Sequence, residues 1–213
     1  MIQQETSLIQ QGTEAWRDLR CGKVTASRMS DLLAKTKSGY GASRATYMAE
    51  LLIERLTGKP TDGSYVSEAM RYGTEMEPEA RAAYEYVTMR PVELAGFVLH
   101  PTIKESGASP DGYVGDDGLV EIKVPNSATH IQTLKTGAIP DRYKAQILWQ
   151  IACTDRRWCD YVSYDPRMPY ELRLFVKRVE RNDARIAEIA KEVIEFLDEL
   201  KADQDFLTKR TFR

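Results

Sequence analysis

Ser109-Pro110-Asp111-Gly112-Tyr113-Val114-Gly115-Asp116-Asp117-Gly118-Leu119-Val120-Glu121-Ile122-Lys123-Val124 reads as two short β runs joined by a tight turn. Gly115-Asp116-Asp117-Gly118 is a strong turn signal between runs rich in β-type residues. In the second run, Val120, Ile122 and Val124 share one face, so that face is apolar and packs into a core. Glu121 and Lys123 point together to the other face. Leaving such charges buried without partners costs several kcal/mol, on the order of a lost polar-group solvation.

Asp111 lies ten residues before Glu121, across the turn, so the hairpin brings the two carboxylates towards each other. Close carboxylates repel unless a cation lies between them. Hard oxygen donors with no His or Cys nearby suit Mg²⁺ or Mn²⁺ rather than zinc. Such an ion can lower the pKa of water and polarise a phosphate oxygen. Lys123 can orient that water or stabilise charge in the transition state. Taken alone, the pattern also fits a common Asp-Gly turn and a solvated Glu-x-Lys pair worth about 0–1 kcal/mol.

Outward from this hairpin the pattern is helical before and mixed after. Thr25 is positioned to cap a helix running to about Lys35. Residues Thr36–Ala42 read as a basic loop. Ser43 is placed to cap the next helix, with Tyr47, Leu51 and Leu52 on one face and Gly58 and Pro60 at its end. A third helix is expected from Glu75 to about Thr88, opening after Gly73, with Pro78 in its first turn. Further strands are expected over Val92–His100, Gly107–Val114, Leu119–Val124, Cys159–Tyr164 and Leu172–Val179, with helices near Ala128–Lys135 and Asp141–Cys153. Ile186, Ile189, Ala190, Val193, Leu197 and Leu200 recur at helical spacing in a final helix capped by Asn182 or Asp183. The fold class is therefore α/β. A small mixed sheet is flanked by helices in one domain over residues 1–213, with a helical part at about 13–90, a sheet core at about 91–180 and a C-terminal helix at about 182–205.

Composition restricts the function classes. With 42% apolar and 29% charged residues and no long apolar run, the chain reads as globular, with no membrane span. The stretch MIQQETSLIQQ lacks the basic start and apolar core of a secretory signal, so a cytoplasmic location is expected. Cys21, Cys153 and Cys159 form no CxxC pair and suggest neither a disulfide framework nor a zinc site. His100 and His130 have no motif around them and read as surface or packing residues. The 30 basic and 32 acidic residues leave a charge of −2, which counts against a uniformly basic nucleic-acid binder. A phosphate backbone senses local potential, however, and charge can be segregated between faces.

Five ordered blocks point further. They are Gly12-Thr13-Glu14-Ala15-Trp16-Arg17-Asp18-Leu19-Arg20 with Gly22-Lys23-Val24-Thr25-Ala26-Ser27; Tyr72-Gly73-Thr74-Glu75-Met76-Glu77; Ser109-Pro110-Asp111-Gly112; Leu119-Val120-Glu121-Ile122-Lys123-Val124-Pro125; and Tyr164-Asp165-Pro166-Arg167-Met168. Together they resemble the PD-(D/E)XK nuclease signature. More specifically, they resemble the lambda-type phage exonucleases, the YqaJ-like viral recombinases, from about Gly12 to the final helix.

The resemblance implies a restriction-endonuclease-like core and a set of roles. Asp111 and Glu121 match metal ligands, Glu77 a helix-borne acid beside the metal, and the Ile122 carbonyl a further ligand. Lys123 matches the catalytic lysine, so the catalytic set is Glu77, Asp111, Glu121 and Lys123. Arg20 and Ser27 match residues that grip a terminal 5′-phosphate, Ser109 adds a phosphate contact, and Gln146 matches a glutamine beside the site. The tyrosine that often follows four residues later is Gln150 here. Trp16 reads as packing; Lys35, Lys37 and Arg44 are basic residues of a segment able to touch DNA. The implied activity is Mg²⁺-dependent 5′→3′ digestion of one strand of linear duplex DNA bearing a 5′-phosphate, with Mn²⁺ able to substitute and one or two ions per site. The resulting 3′ single-stranded tail would pass to a single-strand annealing protein for phage-type recombination in a bacterial host. A homotrimeric ring is also implied. An endonuclease or single-strand exonuclease on the same core, and a non-catalytic DNA-binding protein that kept the fold, are the alternatives.

Overall fold

The computed structural model describes residues 9–37, 39–61 and 67–210. Ser38, inside the segment read as a loop, lies outside them. The elements in order are α1 (Glu14–Arg20), β1 (Val24–Thr25), a 3₁₀ turn (Ala26–Arg28), α2 (Met29–Leu32), β2 (Lys35–Thr36), β3 (Gly39–Tyr40), α3 (Ala42–Thr57) and α4 (Glu68–Thr88). Then follow β4 (Val98–Leu99), β5 (Ser106–Ala108), β6 (Gly112–Val114), β7 (Gly118–Lys123), α5 (Ser127–Thr136), α6 (Asp141–Thr154), β8 (Trp158–Tyr164), a 3₁₀ turn (Tyr170–Leu172), β9 (Leu174–Glu180) and α7 (Asp183–Arg210).

The main sheet is mixed, in the order β6-β7-β8-β9. The expected hairpin forms: β6 pairs antiparallel with β7, placing Tyr113 opposite Leu119. β7 then runs parallel to β8, a pairing that needs a crossover, which α5 and α6 supply. β9 returns antiparallel to β8. A smaller sheet has the order β1-β5-β4, and β2 with β3 makes a short hairpin in place of the expected loop.

β7 is covered on both faces, which is why its apolar residues run almost without interruption. On one side Leu119 joins a core with Ile147 and Ile151 of α6 and Ile189, Val193, Phe196 and Leu200 of α7. On the other, Val120 and Ile122 pack with Ala80 and Tyr84 of α4 and with Trp158 and Val162 of β8. Beneath this second core, Arg178 makes a bidentate pair with Asp160 at 2.8 and 2.9 Å, and the Tyr84 hydroxyl donates to Asp160 at 2.8 Å. No helix among the described residues is long and apolar enough to cross a membrane.

Several boundaries differ from the sequence expectation for local reasons. The helix after Thr25 stops at Leu32, and Thr25 gives no side-chain cap. Its hydroxyl contacts Ser27 Oγ at 3.3 Å, and its N–H is taken by the Tyr47 hydroxyl at 3.0 Å. Gly41, not Ser43, precedes α3; its N–H donates to the Ala34 carbonyl at 2.7 Å, and a Cβ there would lie 3.2 Å from the Ala34 Cβ. α4 begins seven residues before Glu75, at Glu68, where the Ser67 hydroxyl accepts from the Met70 N–H. Pro78 therefore falls in its interior. The helix tolerates this lost donor because Ala80 and Tyr84 anchor its second half on the sheet. The expected strand over 92–100 shrinks to Val98–Leu99 plus an isolated Glu93–Tyr113 bridge. The expected strand over 107–114 splits into β5 and β6, on different sheets, around Pro110, which has no N–H for a ladder.

Candidate active site

That break at Pro110 places Asp111 at the junction of the two sheets. β6 begins only at Gly112, opposite Val120, so beyond that point the N–H of Ile122 has no β6 carbonyl to meet. It donates instead to Asp111 Oδ2 at 2.6 Å, fixing the carboxylate against β7.

Glu121 is fully buried on the face opposite Val120 and Ile122. Three donors converge on it. Lys123 Nζ lies 2.5 Å from Oε1, the Gln146 amide also donates to Oε1, and the Gln150 amide donates to Oε2 at 2.6 Å. Both glutamines are buried and come from successive turns of α6. Their sequence signal is two amides one turn apart flanking the apolar run Ile147-Leu148-Trp149. Only Gln146 was assigned to the site from the sequence.

The electrostatics show crowding of negative charge. Burial, and next the neighbouring Glu121, push the Asp111 carboxyl well above the usual carboxylate range, against Lys123 and the Ile122 N–H. Glu77 on α4 is also pushed up, first by burial. Arg81, at 3.7 Å, pulls it down, Glu121 raises it and Lys123 lowers it. Burial opposes the Lys123 charge, but Glu121 and Asp111 outweigh it and hold the ammonium above its ordinary value.

Among the described residues, no three His, Cys, Asp or Glu side chains converge as a ready-made metal cage. The donor set nevertheless fits a hard divalent cation. Mg²⁺ is typically held by one or two carboxylates and completes its shell with waters and substrate phosphates. The Asp111–Glu121 repulsion is what such an ion relieves.

Arg20, Ser27 and Ser109 are gathered around Trp16. The Trp16 ring carries the Arg20 guanidinium at 3.9 Å, and its indole N–H donates to Ser109 Oγ at 2.9 Å. Arg20 Nη2 reaches Ser27 Oγ at 3.4 Å. Among the described residues no carboxylate forms an ion pair with Arg20. Burial is the main cause that draws its pKa down to about 10, against Tyr47 and Glu54. A guanidinium that forms no ion pair among the described residues, beside the Ser27 hydroxyl, is suited to an anion. Ser109 lies two residues from Asp111, so this group of polar side chains adjoins the carboxylates.

Arg44 is not part of the assembly, contrary to the sequence reading. It is buried, makes a bidentate pair with Glu199 of α7 at 2.7 and 3.1 Å, and stacks on Tyr40 at 3.8 Å. Lys35 is likewise paired, with Glu192 at 2.5 Å. The histidines pack: His130 bonds Ser163 and the Leu172 carbonyl, and His100 stacks on Trp149. The block around Asp165 is structural. Arg167 pairs with Asp165 at 2.6 Å and donates to the Pro125 carbonyl at 3.0 Å, bracing the chain as it leaves β7.

Comparison with known proteins adds to this geometry. Residues 15–157 match the family model of the YqaJ-like viral recombinase domain. The crystal structure of an alkaline exonuclease (LHK-Exo) from Laribacter hongkongensis is 50% identical, covers 93% of this chain and 98% of its own, and superposes with a TM-score of 0.87. The structure of LHK-Exo in complex with dAMP gives the same identity and coverage, with a TM-score of 0.88. A phage-related exonuclease from Haemophilus somnus 129PT shares the fold at 14% identity, with a TM-score of 0.65 over 89% of this chain and 96% of its own. No curated protein matches the chain. On the family match and the extent of the likeness to LHK-Exo, the chain belongs to the YqaJ-like viral recombinase family, a family of nucleases.

Proposed function

We propose that this protein is a divalent-cation-dependent exonuclease that digests the 5′-ended strand of linear duplex DNA. The observation that carries the reading is the adjacency of two groups: Asp111, Glu121 and Lys123 on one side, and on the other Arg20, without an ion-pair partner among the described residues, with Ser27 and Ser109. The second group suits a terminal 5′-phosphate, and the first suits the next phosphodiester along. The alkaline exonuclease activity of LHK-Exo and its complex with dAMP, a nucleotide of the kind such a reaction releases, support the same reading.

Asp111, Glu121 and the Ile122 carbonyl would hold Mg²⁺, or Mn²⁺ in its place, with Glu77 close enough in charge to assist one or two ions. The bound cation supplies Lewis acidity toward the phosphate oxygens. Lys123, kept as an ammonium by Glu121 and Asp111, is a donor and not a base. It orients the attacking water and stabilises charge gathering on the phosphoryl oxygens. Water attacks phosphorus in line and gives up a proton to solvent, the P–O bond to the 3′ oxygen breaks, and that oxygen leaves with a proton from solvent. A mononucleotide departs and a new 5′-phosphate end remains for Arg20. The 3′ single-stranded tail left behind is the substrate of a single-strand annealing protein, and a homotrimeric ring is the assembly that the family resemblance suggests. The proposed setting is the cytoplasm of a bacterial host, with a phage or prophage origin.

The test is digestion of linear duplex DNA labelled separately at its 5′ and 3′ ends, with Mg²⁺ and with EDTA, beside a covalently closed circle. Metal-dependent release of 5′ label from linear DNA alone is the expected result. Nicking of the circle would point to an endonuclease, and binding without turnover to a DNA-binding protein.

A further inference from the structure

We infer that Gln150 is a positioning residue that selects which oxygen of Glu121 is offered to the cation. The inference rests on the metal reading above. An ionised carboxylate has about four acceptor positions, two on each oxygen. On Glu121, Oε1 has both occupied, by Lys123 and Gln146. Oε2 accepts only from Gln150 among the described residues, so the one open position on this carboxylate lies on Oε2. Gln150 thereby sets the direction in which that position points.

The amide itself shows how strongly this arrangement is held. Gln150 is completely buried, and its Oε1 has no hydrogen-bond partner. Rotating the amide by half a turn would aim that oxygen at Glu121, setting a lone pair against a carboxylate. The side chain therefore keeps its N–H on Glu121 and leaves a polar atom unsatisfied, which a residue serving packing alone does not require. Gln146 instead shares Glu121 Oε1 with Lys123, so the two amides differ in task.

The experiment is Mn²⁺ titration by calorimetry into EDTA-stripped, dialysed protein, comparing wild type, Gln150→Met and Asp111→Asn, with thermal melts in chelator alongside. Met matches the volume of Gln and removes both the donor and the orphaned oxygen. Gln150→Met should bind Mn²⁺ about tenfold more weakly, as loss of a residue that orients a ligand typically does. Its melting temperature in chelator should stay within a few degrees of wild type. With Mg²⁺, kcat should fall while KM for DNA ends holds. Unchanged or tighter Mn²⁺ binding by Gln150→Met would overturn the inference, making Gln150 a packing residue or a competitor. If Gln150→Met does not fold, Gln150→Asn draws the amide back from Oε2 and carries the same comparison. Wild type that shows no Asp111-dependent Mn²⁺ binding overturns the metal reading itself. Wild type that binds Mn²⁺ in an Asp111-dependent way, with Gln150 variants that bind equally well, removes only the role of Gln150.

Discussion

The indole N–H of Trp16 donates to the hydroxyl of Ser109 at 2.9 Å, joining the first helix to the loop that carries Asp111. The same ring supports Arg20 from below at 3.9 Å. One side chain thus links the group proposed to grip the 5′-phosphate to the segment that carries Asp111. Trp16→Phe keeps an aromatic face under Arg20 and loses the link to Ser109. It should raise KM for 5′-phosphorylated ends roughly tenfold, in line with the loss of one hydrogen bond of about 1 kcal/mol together with some misplacement. Steady-state kinetics on phosphorylated and hydroxylated ends would check this; an equal effect on both ends would remove Trp16 from that role.

Lys123 is held charged and in contact with Glu121, so it acts as a fixed donor. Lys123→Met should lower kcat by roughly 10²–10³-fold, the cost of removing one transition-state donor. DNA binding measured in chelator should change little. A variant within a fewfold of wild type would mean that another group carries the charge.

Asp111 gives a stability prediction with a definite sign. Its folded-state carboxyl lies above the usual range, chiefly through burial and Glu121. The folded state therefore holds that proton more tightly than the unfolded chain, whose Asp titrates near pH ~4. As pH rises from there through the raised folded value, the unfolded state loses its proton first and stability falls. Asp111→Asn, which cannot ionise but still presents an oxygen to the Ile122 N–H, avoids this loss. In EDTA at pH 8 it should melt a few degrees above wild type, with the gap closing in acid. Added Mg²⁺ should stabilise wild type and leave the variant unmoved. Melts across pH, with and without the ion, decide the matter; a variant that melts below wild type at pH 8 in EDTA would contradict the repulsion.

Arg44 serves the packing of α3 against α7, through Glu199 and the rings of Tyr40 and Phe196. Arg44→Met should cost about 1–3 kcal/mol in urea denaturation, the usual range for a charge-assisted hydrogen bond. DNA affinity and turnover per folded molecule should hold. A variant of normal stability with weakened DNA binding would restore the role first read for it.

Period-2 alternation is a local property, so it was readable along the chain. Val120 and Ile122 against Glu121 and Lys123, with a turn whose Gly115 takes positive φ, sufficed to predict the hairpin and its two-faced strand. The apolar rhythm of the last helix was legible for the same reason, as was its cap, since Asn182 accepts from the Arg185 N–H three residues on. What the chain could not disclose is everything set by partners far away in sequence. Arg44 looked like a free cation until Glu199, 155 residues later, folded onto it. Trp16 looked like ordinary packing until Ser109 arrived 93 residues on. α4 runs through Gly73 and Pro78, both helix-weakening, because the sheet holds Ala80 and Tyr84. Gln150 was noted only as a departure from a pattern, until the crossover through α6 laid it against Glu121. Local propensity fixes which faces are apolar; only tertiary packing decides which polar groups meet inside, because each buried donor must find an acceptor wherever the fold brings one.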